Sequence, residues 1–153
     1  MKKTIYKASN VNIKKAVDIL NESGVIAFPT ETVYGLGGDA SCESSIKKIY
    51  IIKNRPLHNP LIIHVASLEE AKMIGKLNNT AMKMAKAFWP GPLTLLVEKK
   101  RNNGITPAAT SNLDSIAIRV PSNPIILKIL NAFGKPIAAP SANLYGTVSS
   151  TNA

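Results

Sequence analysis

Val25-Ile26-Ala27-Phe28-Pro29-Thr30-Glu31-Thr32-Val33-Tyr34-Gly35-Leu36-Gly37-Gly38 is the stretch on which the fold turns. Its first four residues read as an apolar strand, Pro29 cannot donate to a ladder, and Gly35, Gly37 and Gly38 admit backbone conformations or close approaches that a side chain would block. A break of this kind after a strand is where α/β proteins keep ligand-binding loops, although Gly and Pro alone are served equally well by a plain turn. Thr30, Glu31 and Thr32, two hydroxyls and an acid packed into the break, weigh toward a site.

Outward from this stretch, helical and strand patterns alternate. Ile13, Ala16, Val17 and Leu20 recur at helical spacing, with Asn12 as a cap and Gly24 as a stop. Ser41 opens a second helix carrying Ile46, Ile49 and Tyr50, which ends before Pro56 because proline disfavours helix in the residue preceding it. Leu61–Val65 reads as the next strand, Ser67 with Glu70 as a capping box for a third helix, and Thr80 as the cap of a fourth that ends near Phe88. Strands are expected at Leu93–Glu98 and Ser115–Val120. Ser122 and Pro124 start a last helix that stops at Gly134, and Pro136–Ala139 is a final strand. Lys3–Lys7 is a candidate edge strand. The fold class is therefore α/β, a twisted open mixed sheet with helices packed on it.

The 153 residues bound a single domain, and 45% hydrophobic against 18% charged residues is ordinary for a globular core. No apolar run reaches the length of a membrane span, and the first residues lack the apolar region of a signal peptide, so a soluble cytoplasmic protein is expected. A lone Cys42 forms no internal disulfide, and Cys42, His58 and His64 lack metal-ligand spacing, so no protein-held metal is expected. The net charge of +10 favours an anionic partner, nucleotide phosphate or RNA. Sixteen of the nineteen cations are Lys, mostly on polar helix faces where solubility is the plain reading. Only Arg55, Arg101 and Arg119 are arginines.

Five loops at strand ends carry unusual polar content: 29–37, 53–60, 89–94, 111–115 and 140–146. None contains a nucleophile elbow, a Walker motif or a dinucleotide fingerprint. Lys53 and Arg55 could fork onto phosphate or merely complement a helix C-terminus. Ser141 and Asn143 follow a strand, where an ordinary Ser or Asx turn serves as well. Arg119 alternates with apolar neighbours and either faces water or reaches into a cleft to hold a carboxylate or phosphate. His64 sits in an apolar strand, where a lone His is more often a core residue than a ligand.

Taken in order, Pro29–Gly37, Lys53-Asn-Arg-Pro56, Asn59-Pro-Leu61, Trp89–Thr94, Arg119-Val-Pro121 and Ala139-Pro-Ser-Ala-Asn143 resemble the YrdC-like family of threonylcarbamoyl-AMP synthases over nearly the whole chain. The resemblance implies a deep basic cavity. It also implies formation of threonylcarbamoyl-adenylate and pyrophosphate from L-threonine, bicarbonate or CO2, and ATP with Mg²⁺. By matching position, Thr32, His64, Arg119 and Ala139 would contact L-threonine. Lys53, Arg55, Asn59, Ser115, Ser141, Asn143 and Ser149 would contact ATP, with Lys53 and Arg55 as the catalytic cations. The product would pass to threonylcarbamoyl-transfer proteins that modify the tRNA adenosine beside the anticodon, and a direct tRNA contact is open. Family members continue past Ser149-Ser150-Thr151, so residues 1–153 read as a YrdC-like domain short of its C-terminal elements. Two alternatives stand beside this one: a carbamoyl-adenylate module of hydrogenase maturation, and an RNA-binding module without catalysis.

Overall fold

The computed structural model describes residues 5–152. Its sheet has seven strands: β1 (Val25–Phe28), β2 (Gly35–Asp39), β3 (Ile62–His64), β4 (Gly75–Lys76), β5 (Leu95–Lys99), β6 (Ser115–Arg119) and β7 (Ile137–Ala139), in the spatial order β1-β2-β7-β3-β6-β5-β4. Only β3 and β6 run parallel; every other neighbouring pair is antiparallel. Five helices surround the sheet: α1 (Asn10–Asn21), α2 (Glu43–Lys53), α3 (Leu68–Ile74), α4 (Asn79–Phe88) and α5 (Pro124–Phe133). The mixed α/β architecture is the one expected.

Local boundaries differ from the sequence reading in ways the side chains explain. Ser9, not Asn12, caps α1, its hydroxyl accepting from Asn12 N, and Asn78 rather than Thr80 caps α4 through Ala81 N. Helix α2 begins at Glu43, two residues after Ser41, whose hydroxyl donates to Asp39 instead. Asn123 accepts from Ile125 N, so α5 is capped one residue later than Ser122, with Pro124 in the first turn. The Ser67 cap is as expected, but Glu70 reaches back to Ala66 N rather than to Ser67 N. Residues 5–7 are not in a strand; Lys3 and Thr4 lie outside the described residues.

Two features escaped the sequence reading. Gly75–Lys76 pairs with β5 as a two-residue strand, and Gly35–Asp39, read as the end of a loop, is a full strand between β1 and β7. Glycine is depleted from strands, so Gly-Leu-Gly-Gly-Asp carries little β signal. Here the missing side chains are the point: a Cβ on Gly37 would stand 2.7 Å from both Ile137 Cγ2 and Phe28 Cε1. The glycines serve close packing.

Strand alternation sorts the core into two clusters. Ile63, Ile116, Ile118 and Ala138 face one side with Ile46, Ile49 and Tyr50 of α2, and Ala71 and Ile74 of α3. Ile137, Ala139 and Phe28 face the other, where α1 and α5 cover them with Leu20, Ile126, Ile129 and Leu130. The cover on this second face stops short. Ile62, Ala117 and Ser115 on it remain partly exposed, and Leu96, paired directly with Ala117, is 71% exposed. A cleft therefore opens where α5 ends and the β3–β6–β5 surface begins.

Candidate active site

At that step lies a cavity of about 290 Å³ whose wall includes Thr32, Arg55, His64, Arg119, Ala139 and Ser141. The register explains the meeting: His64 pairs with Arg119 and Ile137, Ile62 with Ala117 and Ala139, so all share the one sheet face that α1 and α5 cover only in part. His64 and Arg119 end the two parallel strands, the position at which open α/β sheets gather ligand groups.

Arg119 is almost buried and multiply held. Its Nη2 donates to Glu31 Oε1 at 2.5 Å and to Thr32 Oγ1 at 3.2 Å, and its Nε donates to the Gly91 carbonyl at 3.3 Å. Glu31 also accepts from Ser122 N at 3.2 Å through Oε2. Burial alone would raise the Glu31 pKa, but the Arg119 hydrogen bond and charge and the backbone donors outweigh it and hold the carboxyl below its usual range. The Thr30 hydroxyl donates to the Val33 carbonyl and accepts from Thr32 N, folding loop 30–33 over the guanidinium.

His64 lies between the strands with its ring edge-on to Phe28, 6.1 Å between centroids. Burial first, then the charge of Arg119, lowers its pKa to about 4, so the imidazole is neutral at physiological pH. Nδ1 sits 3.2 Å from the Ile62 carbonyl, which can only accept, so Nδ1 carries the hydrogen and Nε2 is left as an acceptor. The residue is buried and at the same time part of the cavity wall.

Arg55 follows Asn54, which ends α2 in the left-handed conformation at φ 50°. Its guanidinium donates to the carbonyls of Asn59 and Pro60 and lies over the Tyr145 ring. No carboxylate lies within ion-pair distance of it among the described residues. Lys53 points elsewhere. Its side chain is fully buried, and Nζ donates to the carbonyls of Ser141 (2.5 Å) and Asn143. Burial and the nearby Arg55 charge lower its pKa. The two cations thus part at Asn54 instead of sharing one side.

The remaining expected contacts stand around the cavity rather than in its wall. Asn59 bonds through Nδ2 to Tyr145 Oη; Asn143 donates to the carbonyls of Leu144 and Thr147 and accepts from Ser149 Oγ. These bonds shape the segment that Lys53 staples and that Tyr34 laces to β2 through Ala142 N and Ser150 O. Ser115 borders a neighbouring groove, on the same bare face as Arg119 but at the opposite end of β6. Of the five polar loops, 89–94 supports the cavity from behind through the Gly91 carbonyl, and 111–115 does not reach it. Sequence reasoning left Glu31 unassigned and did not single out Tyr145. Their alternating or aromatic context carried no distinct signal, because the partners lie 88 and 90 residues away.

Among the described residues no group of three or more His, Cys, Asp and Glu could hold a metal ion, and no helix is long and apolar enough to cross a membrane.

Comparison with known proteins gives this geometry its context. Residues 18–153 match the Sua5/YciO/YrdC family model, described as telomere recombination. The chain is 45% identical over 142 residues to threonylcarbamoyl-AMP synthases of Pyrococcus abyssi and of Bacillus subtilis, covering 92% of this chain and 41% of each relative. It spans about two fifths of the length of these relatives. The crystal structure of P. abyssi Sua5 complexed with L-threonine superposes with a TM-score of 0.91 at 43% identity, over 97% of this chain and 43% of that one. With the family model covering most of its length and the sheet superposing on a solved member, the chain belongs to the Sua5/YciO/YrdC family.

Proposed function

We propose that the cavity makes threonylcarbamoyl-adenylate and pyrophosphate from L-threonine, bicarbonate or CO2, and ATP. The observation that carries this reading is the pairing of two different arginines in one cavity. Arg119 is charge-matched and aimed, suited to a single carboxylate; Arg55 has no acidic partner and suits phosphate oxygens. Membership of a family with synthase-named relatives supports the same reading.

Arg119 offers its remaining nitrogen, Nη1, to the carboxylate of L-threonine. Thr32 and the neutral His64 receive its hydroxyl or amine, and the Ala139 backbone closes that end. The amine attacks CO2 as a neutral nucleophile and gives up a proton to water as the carbamate forms, and a carbamate oxygen then attacks the α-phosphorus while pyrophosphate leaves. Arg55 stabilises the charge that grows on the phosphates. Ser141 in the wall, with Asn59, Asn143 and Ser149 beside it, would meet ATP, and Ser115 would be reached where the nucleotide extends along β6 into the neighbouring groove. Lys53 acts through the loop it staples, keeping Ser141 and Asn143 in place. The donors near Arg55 are hydroxyls, amides and carbonyls without a free carboxylate, which fits a Mg²⁺ that arrives on the triphosphate and keeps phosphate and water ligands. When bound, it would neutralise phosphate charge.

The cytoplasm is the compartment proposed, with the adenylate passing to threonylcarbamoyl-transfer proteins acting on tRNA. A direct tRNA contact would draw on the lysine-rich surface and would weaken steeply with salt. The test combines purified protein with ATP, Mg²⁺, bicarbonate and L-threonine and measures pyrophosphate. Release that depends on threonine is expected. Release independent of threonine would favour the carbamoyl-adenylate alternative, and folded protein that binds RNA without any release would favour the RNA-binding one.

A further inference from the structure

Glu31 stands behind Arg119, outside the cavity wall, and takes two donors: Arg119 Nη2 and the Ser122 backbone N–H. With Thr32 and the Gly91 carbonyl it occupies Nη2 and Nε, so Nη1 is the guanidinium nitrogen without a hydrogen bond among the described residues. The pair is well shielded, with side chains 10% and 19% exposed. Arg55, in the same wall, keeps its charge uncompensated. A polyphosphate entering this cavity would meet two guanidinium groups in one wall. Only one of them presents net charge.

We propose that Glu31 is a specificity-determining positioning residue. It cancels the net charge of Arg119 and fixes its exposed edge, so that polyphosphate is drawn to Arg55 while the Arg119 end stays open to a single carboxylate. The inference rests on reading the cavity as a shared nucleotide and amino-acid site, and it supplies what keeps the two ligands apart. Polyphosphate carries several negative charges and gains from every uncompensated cation, whereas one carboxylate can be bound by a directed hydrogen bond to a neutralised guanidinium.

The test uses inorganic tripolyphosphate alone, with no threonine and no turnover, so its outcome is independent of whether the chain is a synthase. Calorimetric titration of the wild-type protein should give binding that Arg55→Ala weakens. In Glu31→Gln, checked for folding by circular dichroism, tripolyphosphate should bind about tenfold tighter, the scale of one freed charge at a partly screened site. Adding Arg119→Gln should abolish that gain. Unchanged affinity in Glu31→Gln would overturn the proposal. Should Glu31→Gln fail to fold, the charge-neutral double variant Glu31→Gln/Arg119→Gln is decisive by itself: it should bind tripolyphosphate as the wild type does. A loss as large as that of Arg55→Ala would make Arg119 part of the phosphate site and refute the division. In the active protein, pyrophosphate should compete with L-threonine in Glu31→Gln and not in wild type; equal competition in both would also count against it.

Discussion

Arg119 Nη2 and Glu31 Oε1 meet at 2.5 Å across 88 residues of chain, joining the end of β6 to the loop after β1. The pair is short and shielded, so its geometry is enforced on both sides of the cavity mouth. The charge-neutral pair Glu31→Gln/Arg119→Gln, which leaves no uncompensated carboxylate, should weaken L-threonine binding by about 10- to 100-fold, the usual loss for a charge-assisted hydrogen bond, while ATP affinity changes much less. Separate calorimetric titrations of the two ligands check this.

Arg55→Ala should do the reverse. Its guanidinium is held by two backbone carbonyls and the Tyr145 ring, so truncation removes an aimed cation and leaves the threonine end intact. ATP affinity should fall by about tenfold or more, with threonine affinity nearly unchanged. Equal losses of both ligands in either arginine variant would mean that the cavity is not divided as argued.

Lys53→Met should cost both stability and nucleotide binding. The buried ammonium satisfies the carbonyls of Ser141 and Asn143, and leaving these without a donor is worth about 1–3 kcal/mol. Denaturant melts should show that loss, and limited proteolysis should find the 141–150 segment opened. A variant that lost ATP affinity at unchanged stability would instead make Lys53 a direct phosphate ligand.

What the sequence displayed and what it hid divide along physical lines. Amphipathic helices carry their signal locally, so α2, α3 and α5 are legible to within a few residues, and α5 stops at Gly134 as expected, the glycine being left-handed. Of the eleven residues that line the cavity, six (Thr32, Arg55, His64, Arg119, Ala139 and Ser141) are among the contacts that the family resemblance implies, and Thr30, Val33, Pro60, Ile62 and Pro140 are not. Strand β2 was hidden because its stability comes from what packs into the missing side chains, a property of Phe28, Ile137 and Ala139 rather than of Gly35–Asp39 itself. Glu31 was hidden for a related reason. An acid in a polar loop looks solvated until the fold delivers Arg119 to it, and Lys53 looked like a phosphate ligand until the fold delivered two carbonyls.

The glycine argument makes its own prediction. In Gly37→Ala the new methyl would meet Ile137 Cγ2 and Phe28 Cε1, both at 2.7 Å, and Ala139 Cβ at 3.1 Å. Three buried neighbours on two strands cannot all retreat, so overpacking should cost about 1–3 kcal/mol in a denaturant melt. Phe28 also packs edge-on against His64, so the displaced ring should weaken threonine binding. Gly104→Ala supplies the contrast: nothing lies within 4 Å, and only the positive φ of 74° is strained, so threonine binding should be untouched.

The pH dependence of stability should carry the mark of His64. Burial and the Arg119 charge lower its folded pKa to about 4 from the ordinary 6.5, so between these values the unfolded chain holds a proton that the folded protein does not. Stability must then rise with pH across that window, being lost progressively as pH falls from about 6.5 to about 4, with a total of about 3 kcal/mol. The charged groups that act on the imidazole are Arg119, which opposes its protonation, and Glu31, which favours it. The folded pKa of Glu31 lies below its usual range, so its own contribution begins to fall near the ordinary 4.5 and is lost at more acidic pH; the His64 limb is therefore read above about pH 5. Denaturant melts of wild type and His64→Gln from pH 4 to pH 8 separate the two. The variant should start lower and show a flatter slope between about pH 5 and 6.5; an unchanged slope would mean that His64 is accessible to protons in the folded protein and that its neutrality is not part of the site.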